Sequence, residues 1–417
     1  MSNHDHLIIR NIAELVVMPK GPVHGRAMRT VARIPNAAIF IHDGLIEWFG
    51  PEASYNGPAD LKAIDAQTGC VVPGLIDCHT HTAFAGTREK EFAQRIEGRS
   101  YEDIARSGGG IVVTVDATRN ATFDELVELA LARLRRMLAN GVTTVEINSG
   151  YGLTVEDELK ILRVIRRLGE VQPIELVPTY LAAHTTPREF VGRPDDYLDA
   201  VFDESVLATI QREQLAEFCD VFCERTAFTI EQSRRVFVAA SKFGMRAKVH
   251  ADQLSQMGAS RLAVEVRAIS ADHLEKTDEG AIAALNSSSV IPVVLPGCSF
   301  FLGVPYAPAR KLIEADLPVA LATDFNPGSS LVESLQLVMS IACTQMRLTP
   351  AETLVAATAN AAAAVDRHSR VGAIAIGMQA DLTILDVPNL DRWLYEPGRS
   401  CVRTVMKRGR LVHQRND

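Results

Sequence analysis

At 417 residues the chain is long enough for one large barrel and a small companion domain, and its 47% hydrophobic, 23% charged composition is that of a folded globular protein. A net charge of −8, from 43 basic and 51 acidic side chains with no basic block, argues against nucleic acid as a partner. No apolar run approaches the roughly 20 residues needed to cross a bilayer, which argues against a membrane partner.

The start, Met1-Ser2-Asn3-His4-Asp5-His6, lacks the basic and apolar regions of a signal peptide. Residues 1–69 then hold short β-like runs (7–10, 38–42 and 46–49) broken by Gly, Pro and Asn. The last two flank Asp43-Gly44-Leu45, a hairpin signal. From 70 to 367 short apolar runs alternate with amphipathic helical stretches, the pattern of a parallel α/β architecture. Thr122 with Glu125 is a capping box, and Gly141 lies just past the end of the helix it opens. Thr229 with Gln232 opens another, and Thr349 followed by Pro350 a third. Eight strand candidates can be read between the helices, at 70–76, 143–148, 175–182, 219–223, 246–249, 268–271, 290–295 and 319–322. Eight is the strand count of a (β/α)8 TIM-like barrel. From 368 to 417 β texture returns, at 371–377, 380–386, 402–407 and 410–413. The fold expected is therefore α/β: a (β/α)8 barrel over 70–367 and a small β-sandwich domain built from both chain ends, 1–69 with 368–417.

Seven cysteines (Cys70, Cys78, Cys219, Cys223, Cys298, Cys343 and Cys401) form an odd set in mostly apolar surroundings. They read as reduced thiols and place the chain in the cytoplasm. Cys219 and Cys223 lack zinc-ribbon spacing and are assigned no ligand role.

The chemistry of such barrels sits at the C-terminal strand ends. Strand one ends in Asp77-Cys78-His79-Thr80-His81, and on an extended backbone residues two apart point the same way, so both imidazoles can reach one point. Strand two runs into Ser149-Gly150-Tyr151. Strands three to six end at His184, Glu224, His250 and His273, strand seven at Pro296-Gly297, and strand eight in Thr323-Asp324-Phe325-Asn326. Taken alone, His273 could be a core residue and Asp324 a turn-former. Five of the eleven histidines at strand ends, however, point to a shared site. His79, His81, His250 and Asp324 make a ligand set for one divalent or trivalent metal, zinc or iron, with room for water. Asp324 could also take the water's proton, and His273 could hydrogen-bond the attacking oxygen or polarise the group attacked.

With Pro73-Gly74-Leu75-Ile76-Asp77-Cys78-His79-Thr80-His81, His250, His273, Asp324 and the tail Gly372-Ala373-Ile374-Ala375-Ile376-Gly377-Met378-Gln379-Ala380-Asp381-Leu382, the chain resembles the amidohydrolase superfamily along essentially its whole length. The resemblance implies a metal-dependent hydrolase and a homodimer. Many binuclear members bridge two metals with a carboxylated lysine on strand four. Here that strand ends in Cys223-Glu224-Arg225, so a one-metal site is expected, with Glu224 a second ligand or a hydrogen-bond partner.

Further motifs resemble one branch of the superfamily, which opens a non-peptide cyclic amide carrying a carboxylate tail. They are Phe84-Ala85-Gly86-Thr87-Arg88, Tyr101 with Ser107-Gly108-Gly109-Gly110-Ile111, Asn148-Ser149-Gly150-Tyr151-Gly152, Ala182-Ala183-His184, His250-Ala251-Asp252-Gln253 and Asp324-Phe325-Asn326-Pro327-Gly328-Ser329. They imply Arg88 as a bidentate partner of the tail carboxylate, with Tyr101, Tyr151 and His184 donating to ring and tail. Asn326, Gly328 and Ser329 would offer an amide and backbone N–H groups. Gln253 stands where mononuclear deaminases of the superfamily carry Glu; it cannot take a proton at neutral pH, and would orient the substrate in ring opening. Two other functions compete: an aminohydrolase of a purine, pyrimidine or related ring, which would release ammonia, and a catalytically silent scaffold, which would bind no metal.

Overall fold

The computed structural model describes residues 6–99 and 109–415. Tyr101, Ser107 and Gly108, singled out in the sequence, lie outside the described residues. The N-terminal part contributes β1 (His6–Val17), β2 (Ala32–His42), β3 (Leu45–Pro51), β4 (Lys62–Asp65) and β5 (Cys70–Pro73). Eight strands follow, each leading into helix: β6 (Leu75–Asp77), β7 (Val142–Asn148), β8 (Glu175–Ala183), β9 (Phe218–Cys223), β10 (Arg246–Ala251), β11 (Ser270–His273), β12 (Ile291–Val294) and β13 (Ala320–Leu321). The C-terminal part adds β14 (Leu382–Leu385), β15 (Val402–Lys407) and β16 (Arg410–Gln414).

Two sheets result. Strands β6 to β13 run in sequence order, all parallel, with the intervening helices around them, as the eight-strand count requires. The other sheet joins both chain ends in the order β16-β15-β14-β5-β1-β2-β3, with β4 beside β1. Ile9, Ile12, Ile39, Ile46, Leu382, Ile384 and Met406 fill one apolar core there. Asp43 (φ 49°) and Gly44 (φ 76°) form the tight turn between β2 and β3, where the hairpin signal lay.

Two details differ from the sequence pattern. The run 70–76 is divided between the sheets: Cys70–Pro73 pairs with β1 and β14, and only Leu75–Asp77 enters the barrel. Gly74 is the crossing point. Its N–H donates to Asp381 O at 2.8 Å, and a Cβ there would collide with Thr143. Residues 371–377 form no strand, because Gly372 (φ 91°) and Gly377 (φ 81°) turn the chain, and Ile374 fills the small core from a loop.

The helix starts read in the sequence are present as reciprocal capping boxes at Thr122/Glu125, Thr229/Gln232 and Thr349/Glu352. Beyond the first of these helices, Gly141 (φ 91°) accepts from Leu75 N at 2.9 Å and from Thr383 Oγ1 at 3.1 Å, tying the helix end to both sheets. Glu175, at the start of β8, pairs with Arg367, Arg370 and Lys407. Such contacts hold the small sheet near the N-terminal ends of the barrel strands and leave the C-terminal ends to the loops.

Among the described residues no ladder joins β13 to β6 directly. The seam is instead closed by a side chain and by backbone beyond the strand ends. Asp77 accepts from Thr323 N at 3.0 Å and Thr323 Oγ1 at 2.6 Å. Asp324 N then donates to His79 O at 3.0 Å, and His81 N to Phe325 O at 2.9 Å. Burial pushes the Asp77 carboxyl up to about 7 while the bonds from Thr323 pull it down. Asp77→Ala would leave two buried donors on Thr323 unpaired, at about 1–3 kcal/mol each. A lower melting temperature together with weaker metal retention is expected; a variant of unchanged stability would show that the backbone bonds alone hold the seam.

Candidate functional site

His79 and His81 follow β6, His250 lies on β10, His273 ends β11, and Asp324 follows β13. All five meet at the C-terminal end of the barrel, and none is more than 3% exposed. His79 Nε2 lies 3.8 Å and His81 Nε2 3.6 Å from Asp324 Oδ1. Ring centroids are 4.5 Å apart for His79 and His250, 5.5 Å for His81 and His250, and 5.2 Å for His250 and His273. The ligand atoms of His79, His81 and Asp324 fall within 4.8 Å of one another, as do those of His79, His250 and His273. The backbone is unusual here: His273 (φ 85°), Leu274 (φ 71°) and Asp324 (φ 52°) are left-handed without being glycine, and only their surroundings can hold them so.

Behind this cluster lies a layer of buried charge that the strand-end reading missed. His79 Nδ1 donates to Asp272 Oδ2 at 2.7 Å, which leaves Nε2 with its lone pair turned to the cluster. His250 Nδ1 lies 2.9 Å from Asp220 Oδ2, and Asp220 Oδ1 accepts from His250 N at 3.1 Å. Lys248, two residues before His250 on the same strand face, reaches Asp272 at 3.2 Å and donates to Ser270 Oγ at 2.7 Å. Glu146 accepts from Thr80 N at 3.1 Å, and burial pushes its carboxyl up to about 8 despite Lys248. The signal was present as polar residues interrupting otherwise apolar strands, with Asp77, His79 and His81 spaced by two and Lys248 and His250 likewise.

Protonation suits the geometry. Burial, helped by neighbouring histidines, holds His79 and His81 well below the usual imidazole range, so both are neutral lone-pair donors. Burial also works against the His273 cation, but Glu275, Asp324 and Asp272 outweigh it and raise the group to about 9. Glu275 Oε1 is 3.7 Å from His273 Nδ1.

Around the cluster stand the residues expected to meet a substrate. His184 Nδ1 donates to Gly150 O (3.0 Å), and the ring stacks on His81 at 5.2 Å and lies 5.4 Å from the Tyr151 ring; burial lowers it to about 4. Gln253 donates to Cys298 Sγ at 3.7 Å. Cys298 was not singled out for the site, yet its ligand atom lies within 4.8 Å of those of His273 and Asp324. Asn326 is spent on its own turn: Oδ1 accepts from Gly328 N and Ser329 N, both at 2.8 Å, and Nδ2 donates to Asp324 O at 2.7 Å. Ser329 Oγ reaches Asp324 Oδ2 at 3.4 Å. These three residues thus brace Asp324, and the expected free N–H groups of the loop are engaged. Arg88 packs beside Gly328, where a Cβ would collide with its Nη1, and it pairs with Glu91. Glu224 accepts from Leu254 N and Ser255 N at 2.9 and 3.0 Å and holds the loop after His250; it is a hydrogen-bond partner.

A metal ion fits this donor set. The buried Nε2 atoms of His79 and His250 have no hydrogen-bond partner among the described residues, a costly state unless a ligand completes it. His79, His81, His250 and Asp324 supply three imidazoles and one carboxylate, the donors of a hydrolytic zinc or iron site.

Comparison with known proteins agrees with this architecture. The amidohydrolase family model matches residues 70–412. A protein of Thermoanaerobacter pseudethanolicus named imidazolonepropionase is 45% identical over 96% of both chains. One of that name from Alkaliphilus oremlandii is 44% identical over 98% of both. Among solved structures, 5-methylcytosine deaminase from Klebsiella pneumoniae superposes with a TM-score of 0.73 at 18% identity, covering 98% of both chains. E. coli guanine deaminase gives 0.73 at 14% identity, covering 99% of this chain and 100% of its own; both share the fold.

Asp272→Ala would free the His79 ring to rotate and strand Lys248, and metal affinity is expected to fall about 10–100-fold. Competition with a chromophoric chelator measures it, and unchanged affinity would remove Asp272 from the support of the site.

Proposed function

The chain belongs to the amidohydrolase family, among the imidazolonepropionases, and on that premise we propose that it opens the ring of 4-imidazolone-5-propanoate to N-formimidoyl-L-glutamate in histidine degradation. It is a hydrolase acting on a cyclic amide. The observation that carries the chemistry is the buried meeting of His79, His81, His250, His273 and Asp324 at one end of the barrel. The branch within the family is carried by the end-to-end likeness to proteins of that name.

His79, His81, His250 and Asp324 would hold one metal ion, which when bound would supply positive charge to acidify water and polarise a carbonyl. Imidazole and carboxylate donors suit zinc and iron alike, and we propose one or the other. Asp324 takes the proton of the attacking water and passes it to the departing ring nitrogen. Its two supports, Ser329 Oγ and the turn made by Asn326, keep the carboxylate in place for both transfers. His273, whose proton Glu275 and Asp324 help to hold, donates to the oxygen on which charge develops. Arg88 holds the propionate tail with its planar fork. Beside His81, Tyr151 donates to the ring and His184, its N–H spent on Gly150 O, accepts from the substrate through Nε2; Gln253 orients the ring, and Tyr101 joins the tail contacts. The water's two hydrogens and oxygen end in the product, and no ammonia is released.

The deaminases among the structural neighbours are 14% and 18% identical and speak for the fold alone. Gln253, unable to accept a proton, supports ring opening over ammonia release. Free thiols at all seven cysteines support a reducing, cytoplasmic setting. A homodimer is proposed from the family resemblance.

Metal-loaded protein given fresh 4-imidazolone-5-propanoate should yield N-formimidoyl-L-glutamate by mass spectrometry; ammonia as a stoichiometric product would reject ring opening. Asp324→Asn should lower kcat by about 10²–10⁴-fold, the usual share of a positioned proton-transfer group. Full turnover in that variant would refute the role. Arg88→Ala should raise KM by about 10–100-fold with kcat little changed, as loss of charge-assisted bonds to the tail predicts. A drop in kcat alone would place Arg88 elsewhere in the reaction.

A further inference from the structure

The arginine assigned to the tail is itself held by an acid. Arg88 precedes the helix Glu89–Ile96, and its Nε and Nη2 donate to Glu91 Oε2 at 2.9 and 2.6 Å. The side chains are 9% and 11% exposed. The second oxygen, Glu91 Oε1, accepts from Gly110 N at 2.9 Å. Gly110 (φ 87°) stands immediately before the helix Ile111–Asn120. One carboxylate therefore joins two separate elements at the rim of the site, and each of its oxygens has its own task.

A guanidinium can grip a carboxylate side-on, through Nε and Nη2, or end-on, through its two terminal nitrogens. Glu91 takes the side-on edge. The end that remains carries Nη1, which packs against Gly328 in the loop that follows Asp324. Gly328 has no positive φ, so the backbone does not demand glycine there; a Cβ would instead push the Arg88 guanidinium aside.

We propose that Glu91 is a positioning residue for substrate recognition, clamping Arg88 so that its Nη1 end meets the tail carboxylate beside Gly328. The proposal rests on the function above, in which Arg88 binds the tail. Glu91 also brings a negative charge that repels the tail. Orientation outweighs that repulsion, because a nearly buried guanidinium deprived of its partner turns to other acceptors. A bland ion pair at a helix start would do none of this.

The experiment uses Glu91→Gln, Arg88→Ala and the double variant, each metal-loaded. KM and kcat are measured with 4-imidazolone-5-propanoate and with 5-methylimidazol-4-one, which lacks the carboxylate. In Glu91→Gln the new NH2 cannot accept, so Arg88 or Gly110 loses its partner. KM for the tailed substrate is expected to rise on the order of tenfold. The parameters for the tail-less ring and kcat for both should hold, and Glu91→Gln should add nothing in the Arg88→Ala background. An equal rise for both rings, a multiplied effect in the double variant, or a lower KM would overturn the proposal. Should Arg88→Ala fail to discriminate between the two rings, the tail is bound elsewhere and Glu91 loses its role with Arg88. If Glu91→Gln does not fold, Glu91→Asp, one methylene shorter, serves for the same comparison.

Discussion

The site depends on how the first and last strands of the barrel meet. A closed barrel ordinarily joins them by a ladder; here β6 and β13 are joined by Asp77 and by backbone beyond the strand ends. Those backbone bonds are made by His79, His81, Asp324 and Phe325 themselves. The contact that closes the barrel is thus the same contact that sets Asp324 opposite the two histidines. Left-handed backbone at Asp324 and His273 is tolerable because bonds on both sides fix it.

Electrostatics completes the design. Asp220, Asp272 and Asp324 lie within or beside the barrel end with Lys248 as the fixed cation below them. Glu146 adds a further carboxylate that burial keeps close to neutral. Carboxylates outnumber lysine in this layer, and His79 and His81 are held neutral, so a cation is a natural counter-charge. Asp220 and Asp272 act through the imidazoles they touch, fixing which ring nitrogen faces the cluster.

Much of this was legible in the sequence, and the limits have physical reasons. Strand order, helix starts at Thr122, Thr229 and Thr349, and the convergence of His79, His81, His250 and Asp324 follow from periodicity and from the rule that barrel chemistry sits at strand ends. The division at Gly74 was not legible, because a residue that passes from one sheet to another leaves the apolar run unbroken. Residues 371–377 looked like a strand because Ile374 and Ile376 alternate with small residues, but their glycines turn. Asp220, Lys248 and Asp272 were passed over because single charged residues inside apolar strands do not announce what they face. The tasks of Asn326 and Glu91 depend on which acceptor a donor chooses, and that choice is made only in three dimensions.

The pairing of β5 with β14 bears on synthesis. Cys70–Pro73 feeds directly into the strand that leads to His79, yet one of its partners, Leu382–Leu385, is translated more than 300 residues later. The sheet that anchors the first barrel strand cannot be complete until nearly the whole polypeptide has left the ribosome. Loop closure over so long a separation is slow, and the nascent N-terminal strands must wait without aggregating.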